Sequence, residues 1–302
     1  MINFLTSLIL ASLLIPTGFN FFTQKAVDYS YRMNSQALEN APQRIINKSF
    51  GLKTTAKSIL VIDDYSGAVL YDKNSAQVTP IASITKLITA LVILDTKPDW
   101  QQKIKLEASD QKEGGTVYLL SGEEVIFKDL FYIMLVGSAN EAAAALARNS
   151  GIKDFSAAMN KKAKELGMNS SYFFEPTGID PKNISSAADL VRLAEAAFNY
   201  LEITDALTME NYEFQVVNNQ RQGRAVSTDQ LLAGFLNGPD YKIIGAKTGY
   251  LDEAGYCLLL RVKKNEGPSL TLALLGMTTI DDRWQEAKGL ADWVFRNYEW
   301  PD

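Results

Sequence analysis

Strand-forming segments lie at both ends of the chain beyond residue 58, and a long helical region separates them. Two apolar runs around the turn Asp64-Tyr-Ser-Gly67 predict a β-hairpin. Further strand patterns occupy residues 241–246, 256–262 and 270–275. Because the early and late strands must pair, the pattern predicts an α+β fold. We expect an antiparallel sheet flanked by helices, with a cleft where a helical lobe meets the sheet.

The apolar spacing of the region between these strands predicts an inserted all-α lobe. It covers about residues 96–200, with helical patterns at residues 127–136, 140–148, 154–166 and 186–198. Before the lobe, Pro80 precedes an apolar stretch at residues 81–94 whose spacing predicts a largely buried helix. A last helix is predicted over residues 282–298.

The amino-terminal segment has the length of a signal peptide. Residues 4–15 are apolar, and Pro16-Thr-Gly18 interrupts the run. We therefore expect residues 1–25 to be a signal peptide or an uncleaved membrane anchor, which would place the protein on the extracytoplasmic side of the membrane. Residues 26–57 are interpreted as a linker and residues 58–302 as the functional domain. A buried amino-terminal helix of the fold is the alternative.

Composition narrows the class of protein. With 47% hydrophobic residues among 302, the chain can bury the core of a globular catalytic unit. Its formal net charge of -5 and its scattered basic residues argue against a nucleic-acid partner, because such binders usually present a basic face.

Histidine is absent from the sequence, which excludes Ser-His-Asp and Cys-His catalysis and most zinc sites. A nucleophile must then be activated by lysine, a carboxylate, tyrosine or a metal held by oxygen ligands. The single cysteine, Cys257, lies in an apolar strand pattern and is predicted to be a buried thiol without a disulfide partner. We predict neither a metal nor a cofactor.

Ser83-Ile-Thr-Lys86 places a serine and a lysine on one face of a helix. The same spacing occurs at residues 109–112 and 150–153, so the pattern alone does not select a nucleophile. Only Ser83 and Lys86 open a buried helix, where the helix amino terminus stabilises negative charge and burial removes water from the lysine. Context therefore favours Ser83 as nucleophile and Lys86 as base.

A lysine base must lose its proton near neutral pH, so its pKa must fall from about 10.4 to roughly 7. A second cation nearby would lower it, and Lys247 is our candidate for that cation. Lys247-Thr-Gly249 follows a predicted strand, where Lys247 and Thr248 would offer a cation and a hydroxyl to a carboxylate. Gly249 would let a substrate backbone approach closely. An exposed turn is the alternative interpretation.

Ser138-Ala-Asn140 follows the predicted helix at residues 127–136. By itself the segment is typical of a helix N-cap with Glu141 in the first turn. Together with the other two motifs, it suggests that Ser138 relays a proton to the leaving group while Asn140 binds a substrate amide and Lys86.

The three motifs, in this order, resemble the signature of penicillin-binding proteins and serine β-lactamases. Residues 81–90, 137–142, 185–190 and 245–256 are similar to segments of the low-molecular-mass penicillin-binding D-alanyl-D-alanine carboxypeptidases, over about residues 58–298. The resemblance implies a β-lactamase/transpeptidase-like fold and a serine peptidase that acts on peptidoglycan stem peptides. It also implies that β-lactam antibiotics are covalent inhibitors.

Roles for individual residues follow from the resemblance. Ser83 would be acylated with Lys86 as base, and Ser138, Asn140 and Lys247 would complete the proton-transfer network. Thr248 and Gly249 would bind the substrate, with the backbone amides of Ser83 and Tyr250 as oxyanion hole. Arg283 would help to bind the terminal carboxylate.

Three other activities compete with carboxypeptidase activity. The short carboxyl-terminal end resembles that of the endopeptidase members of the family. A class A β-lactamase would need a deacylating glutamate in a Glu-x-x-Leu-Asn segment, and Glu175-Pro-Thr-Gly-Ile179 supplies only the glutamate. The third alternative is a sensor that is acylated by β-lactams and processes no peptide.

Overall fold

The computed structural model describes residues 40–47, 49 and 51–301. The signal peptide or anchor expected at residues 1–25, and much of the expected linker, lie outside the described residues. The strands are β1 (Gln43–Arg44), β2 (Ser58–Asp63), β3 (Val69–Lys73), β4 (Thr79–Pro80), β5 (Lys103–Lys105), β6 (Glu124–Ile126), β7 (Ile184–Ser185), β8 (Asn211–Gln215), β9 (Gln222–Val226), β10 (Tyr241–Leu251), β11 (Gly255–Lys264), β12 (Ser269–Met277) and β13 (Tyr298–Glu299). The α-helices are α1 (Lys86–Asp95), α2 (Phe127–Val136), α3 (Asn140–Asn149), α4 (Phe155–Glu165), α5 (Ala187–Ala197), α6 (Leu201–Leu207) and α7 (Ile280–Asn297).

A central antiparallel sheet joins the two ends of the described chain. Within the described residues its five strands lie in the order β10, β11, β12, β2 and β3. Val61 of β2 pairs with Leu272 of β12, so the early hairpin lies directly beside the late strands. This arrangement confirms the predicted α+β fold, in which the sheet is assembled from both ends of the domain.

Helices cover the sheet, which explains why β2 is buried along its whole length. Val61 and Leu272 belong to one core cluster with Leu290 and Val294 of α7. The intervening residues of these strands are also buried and point to the opposite face, where α5 packs. Replacing a buried leucine such as Leu290 with alanine is expected to cost about 2–5 kcal/mol.

The start of α7 is fixed by a capping box. The Thr279 hydroxyl accepts a hydrogen bond from the Asp282 amide (3.1 Å), and the Asp282 carboxylate accepts one from the Thr279 amide (3.0 Å). The cap sets where the helix begins, and thereby places Arg283 in its first turn.

The segment before α1 departs from the sequence-based prediction. Residues 81–94 were predicted to be one helix, whereas a 3₁₀ turn (Ala82–Thr85) precedes α1, which begins at Lys86. Ala82 has a positive φ of 48°, and the Ile81 amide donates to the Asn183 carbonyl instead of entering a helix. Ser83 therefore lies in a tight turn at the front of the buried helix.

The region predicted to be helical, residues 96–200, contains α2, α3, α4 and α5 together with the short strands β5, β6 and β7. These strands form two-stranded sheets apart from the central one: β5 pairs with β6, and β7 pairs with β4 just before the 3₁₀ turn. No helix in the described part of the chain is both long and apolar enough to cross a membrane.

Candidate active site

Ser83 lies at the floor of a cleft of about 670 Å³ between the sheet edge and the helical region. Two glycines allow other segments to pack tightly against its turn. A Cβ on Gly249 would lie 2.6 Å from the Ile81 carbonyl oxygen, and a Cβ on Gly178 would collide with the Ala82 carbonyl. The side chain of Ser83 is half-buried and faces the cleft.

Lys86 follows one turn later and is fully buried. Its Nζ lies 3.0 Å from Ser83 Oγ, 2.7 Å from Asn140 Oδ1 and 2.5 Å from the Thr177 carbonyl oxygen. The structure thus joins Ser83, Lys86 and Asn140, as the sequence motifs suggested. Thr177 adds a contact that no motif indicated.

Burial lowers the pKa of Lys86 to about 7, while the carboxylates of Glu175 and Glu141 act in the opposite direction. The main cause is therefore loss of water rather than the Lys247 cation, which the sequence had suggested for this role. Burial also lowers the pKa of Lys247 well below its usual value, and Lys86 lowers it further. A proton on Lys86 therefore disfavours a proton on Lys247.

Ser138 lies in the loop between α2 and α3. Its hydroxyl accepts a hydrogen bond from Lys247 Nζ at 2.8 Å, and its φ of 56° lies in the left-handed region. Ser138 does not cap α3, because Ala139 occupies the N-cap position without a side-chain hydrogen bond. A strained backbone at a polar residue facing the cleft is typical of functional sites.

Asn140 is the first residue of α3, and hydrogen bonds at both Nδ2 and Oδ1 fix the orientation of its side-chain amide. Its Nδ2 donates to the Gly114 carbonyl at 2.9 Å, so Oδ1 is left to accept from Lys86. Residues 113–116 therefore line the cleft opposite the sheet. Sequence reasoning did not identify this loop; its Gly114-Gly115 pair was the one available signal of an unusual backbone.

Lys247, Thr248 and Gly249 lie within β10, which runs on to Leu251, rather than in a turn after a shorter strand. β10 is an edge strand of the sheet, so its free backbone groups could pair with an extended peptide. Thr248 is buried, and its hydroxyl lies 2.7 Å from that of Thr228. Thr228 also lines the cleft and was missed, because it belongs to no motif.

Tyr250 and Arg283 both line the cleft beyond Gly249. The Tyr250 ring is half-exposed and lies on the ring of Tyr256, with centroids 4.4 Å apart. Arg283 is buried, donates to the Gly249 carbonyl at 3.3 Å and lies over the rings of Tyr256 and Trp284. Burial lowers its pKa. Its Nε has no hydrogen-bond partner among the described residues.

Asp229 is a buried carboxyl group that the sequence analysis did not identify. Its Oδ1 accepts from the Leu231 amide at 2.9 Å, and Oδ2 has no hydrogen-bond partner in the described part of the chain. Burial raises the pKa of Asp229 to about 6, against the opposing influence of Arg283 and Lys247. When it is ionised, Asp229 therefore places a negative charge near Arg283 and Lys247.

Cys257 lies on β11, fully buried, and burial raises its pKa to about 11. The reactive form of cysteine is the thiolate, so this thiol is a structural residue. Among the described residues, no cluster of three or more histidine, cysteine or acidic side chains is arranged to hold a metal ion.

The fold and these contacts define a class of protein. A serine hydroxyl adjoins a buried lysine of near-neutral pKa, a second hydroxyl adjoins a second buried lysine, and an edge strand borders the cleft. This is the arrangement of serine acyl-transfer enzymes that use lysine in place of histidine.

Comparison with known proteins specifies the family. The family model described as D-alanyl-D-alanine carboxypeptidase matches residues 44–279. This chain therefore belongs to the D-alanyl-D-alanine carboxypeptidase family of serine peptidases, and it is a serine hydrolase of the penicillin-binding type. The match confirms the resemblance seen in the three motifs.

Individual relatives carry two different activities in their names. The chain is 34% identical over 250 residues to a D-alanyl-D-alanine endopeptidase of Pseudomonas aeruginosa, covering 78% of this chain and 76% of the relative. It is 33% identical over 253 residues to the D-alanyl-D-alanine carboxypeptidase DacF of Bacillus subtilis, covering 81% and 63%. Penicillin-binding protein D2 from Listeria monocytogenes, solved with cefotaxime bound, superposes with a TM-score of 0.71 at 27% identity, covering 82% of this chain and 100% of that one.

Proposed function

We propose that this chain hydrolyses the terminal D-alanyl-D-alanine bond of peptidoglycan stem peptides through an acyl-enzyme at Ser83. The observation that carries the proposal is the 3.0 Å contact between Ser83 Oγ and a Lys86 amine whose pKa is about 7. A large fraction of Lys86 is then neutral at physiological pH and able to accept the serine proton. The family to which the chain belongs supports the choice of substrate.

In the acylation step, the proton of the Ser83 hydroxyl passes to Lys86 Nζ while Oγ forms a bond to the carbonyl carbon of the penultimate D-alanine. The C–N bond then breaks, and the departing amine must gain a proton. Ser138 is placed to deliver it, because its hydroxyl is held by Lys247 and faces the same cleft. Lys86 then releases the proton that it took from Ser83, and this proton replaces the one that Ser138 gave to the amine. Water attacks the ester at Ser83, and the neutral Lys86 serves as base a second time.

Binding of the substrate is assigned to the other end of the cleft. The terminal carboxylate would interact with the Thr248 hydroxyl, with the positive charge of Arg283 and with the N–H groups of the Lys247 amine. The peptide would extend along β10, and the backbone amides of Ser83 and Tyr250 would stabilise the oxyanion. Half-exposed Tyr250 would contact the peptide at the rim.

Endopeptidase activity on cross-linked peptides is the second candidate. The observation that favours it is the name of the Pseudomonas aeruginosa relative, which is described as a D-alanyl-D-alanine endopeptidase. A pentapeptide and a purified cross-linked muropeptide dimer, offered at equal concentration, separate the two activities. Faster cleavage of the dimer would identify an endopeptidase.

Rapid β-lactam hydrolysis is not part of the proposal. In the described chain the Glu175 carboxylate accepts hydrogen bonds from six N–H or O–H groups of its own loop and of Asn183. A carboxylate with its lone pairs so engaged is poorly suited to activate a water molecule. The expected consequence is a long-lived penicilloyl-enzyme.

The test is intact-mass spectrometry of the full chain and of Ser83→Ala, after brief exposure to penicillin and then to a pentapeptide ending in D-Ala-D-Ala. A persistent penicilloyl adduct on the wild type alone, with release of one D-alanine, is the expected result. An adduct without D-alanine release would support the endopeptidase or the sensor. Absence of an adduct would overturn the assignment of Ser83.

An extracytoplasmic location, by a signal peptide or a membrane anchor at residues 1–25, is also part of the proposal. It is supported by the apolar run at residues 4–15 and by the placement of peptidoglycan outside the cytoplasmic membrane. Cell fractionation and the mass of the mature amino terminus would distinguish a cleaved signal from a retained anchor.

A further inference from the structure

The loop at residues 174–180 is folded around the carboxylate of Glu175. One oxygen accepts from the amides of Gly178 (2.6 Å) and Ile179 (2.9 Å) and from Asn183 Nδ2 (2.6 Å). The other accepts from the amide (2.7 Å) and the hydroxyl (2.6 Å) of Thr177. Charge-assisted hydrogen bonds of this kind are among the strongest in proteins, so this side chain anchors the loop, together with Asn183, whose Oδ1 accepts from the Phe174 amide at 2.9 Å.

This loop packs against the helix that carries the nucleophile. Thr89 of α1 donates to the Pro176 carbonyl at 2.8 Å, and Lys86 donates to the Thr177 carbonyl at 2.5 Å. Gly178 has a φ of 83° and lies against the Ala82 carbonyl without room for a side chain. The Thr177 carbonyl is therefore held at Lys86 by a chain of contacts that starts at Glu175.

The contact with Thr177 decides where the lone pair of Lys86 points. A neutral amine has two N–H bonds and one lone pair. The Thr177 carbonyl and Asn140 Oδ1 can only accept hydrogen bonds, so they take the two N–H groups. The lone pair is then directed at Ser83, whose hydroxyl is the one partner among the three that can donate.

We propose that Glu175 is a positioning residue for acylation: it fixes the Thr177 carbonyl, which turns the lone pair of Lys86 toward Ser83. The inference rests on the proposed roles of Ser83 and Lys86 and adds a residue that does not touch the substrate. Without Glu175, the loop would lose the acceptor that holds its amides. Lys86 would then be free to turn away from Ser83.

Glu175 also acts on Lys86 through its charge. Three titratable groups interact electrostatically with the Lys86 amine. Glu175 from the loop and Glu141 from α3 raise the pKa of Lys86, and Lys86 in turn lowers the pKa of Lys247 from β10. Glu141 is itself held by the amides of Tyr118 (2.8 Å) and Leu119 (3.3 Å). Removing only the Glu175 charge should make Lys86 easier to deprotonate.

The experiment measures the rate constant of penicillin acylation from pH 5 to 8 for the wild type, Glu175→Gln and Asp180→Asn. Asp180 is the matched control: it lies in the same loop and loses the same charge, but its side chain accepts from the Lys182 amide (2.8 Å) and does not contact Lys86. We expect Glu175→Gln to slow acylation about a hundredfold. Its acid limb should move to lower pH by up to about one unit. Asp180→Asn should keep the wild-type rate and profile.

A milder variant covers the case in which Glu175→Gln does not fold. Thr177→Val removes the hydroxyl that donates to Glu175 but keeps the charges of Glu175 and Lys86 and the carbonyl of residue 177. Acylation should therefore slow about tenfold, while the acid limb of its pH profile stays at the wild-type pH. A folded Glu175→Gln or Thr177→Val enzyme with the wild-type rate and profile would overturn the inference. Failure of the wild type to form a Ser83 adduct would instead overturn the proposed function.

Discussion

Lys247 donates a hydrogen bond to the Ser138 hydroxyl across 2.8 Å, which connects the edge strand of the sheet to the loop between two helices. Ser83 and Lys86 form a second pair of this kind at the floor of the same cleft, at 3.0 Å. Each pair consists of a hydroxyl and a buried lysine of lowered pKa. One pair is suited to remove a proton from the nucleophile and the other to return a proton to the leaving group.

The first prediction concerns the pH dependence of acylation. The pKa of Lys86 is about 7, and only the neutral amine can accept the Ser83 proton. The rate should therefore be nearly constant above about pH 8, reach about half its maximum at pH 7, and fall about tenfold per unit below about pH 6, to about a hundredth at pH 5. Stopped-flow acylation by a chromogenic β-lactam, with circular dichroism to confirm folding at each pH, gives the profile. A flat profile would show that neutral Lys86 is not the base.

The second prediction uses the strained backbone of Ser138. Ser138→Ala and Ser138→Gly both remove the hydroxyl that Lys247 contacts, so both should lose activity by about 100-fold or more. They should differ in stability, because glycine adopts the left-handed φ of 56° without strain and alanine does not. We expect the free energy of unfolding of the glycine variant to exceed that of the alanine variant by about 1 kcal/mol, so the glycine variant is the more stable of the two.

Urea denaturation of these two variants measures that difference, and the pentapeptide assay measures the common loss of activity. Equal stabilities would mean that the loop relaxes when the hydroxyl is removed. Full activity in either variant would exclude Ser138 from proton transfer.

The third prediction concerns the contact of Gly178 with the nucleophile turn. Gly178→Ala adds a Cβ at a φ of 83° and forces it against the Ala82 carbonyl. Gly122→Ala is the matched control, since Gly122 has a similar φ of 89° with open space around its missing side chain. Gly122→Ala should cost about 1–2 kcal/mol and leave acylation unchanged. Gly178→Ala should cost more and displace Ser83, so acylation per folded molecule should fall about tenfold or more.

Thermal melts and acylation rates normalised to folded protein test both variants. The interpretation is wrong if the two substitutions have the same effect on acylation, since the control shares the backbone strain and lacks only the clash.

Much of the fold could be predicted because it follows from periodicity. Alternating and continuous apolar runs predicted β2, β11 and β12, and α2 begins and ends at the residues expected from its pattern. The turn at Ser83 could not be predicted, since Ile81 departs from helical bonding through a contact with Asn183, about 100 residues away. Local propensity carries no information about such a partner.

The candidate site likewise contains residues that could be predicted from the sequence and residues that could not. Ser83 and Asn140 line one cleft, and Lys247 contacts Ser138 in the same cleft. These residues could be proposed from the sequence because the three motifs occur together and in order, although the Ser-x-x-Lys spacing alone recurs elsewhere. Thr177 contributes a backbone carbonyl, which every residue possesses, so no sequence pattern could indicate it. Asp229 is notable only because its carboxyl group is buried, and burial is a property of the folded chain.

The last prediction concerns the pH dependence of stability through Asp229. Its pKa rises from 3.8 to about 6 on folding, because burial disfavours the carboxylate. Below about pH 3 the group is protonated in both states, and it contributes no difference between folded and unfolded chains. As the pH rises from about 4 to about 6, the unfolded state ionises while the folded state does not, so the free energy of unfolding decreases by up to about 3 kcal/mol and levels off above pH 6. Asp229→Asn removes this ionisation.

The variant should therefore be close to the wild type near pH 4, gain stability relative to it between pH 4 and pH 6, and keep a nearly constant advantage above pH 6. Urea denaturation of both proteins at pH 4, 5, 6 and 7 measures the difference. Asp180→Asn serves as control, because Asp180 is a partly exposed carboxylate of the same charge. A constant difference between Asp229→Asn and the wild type across this range would show that Asp229 is ionised alike in both states. The arginine and lysine beside it would then compensate fully for its burial.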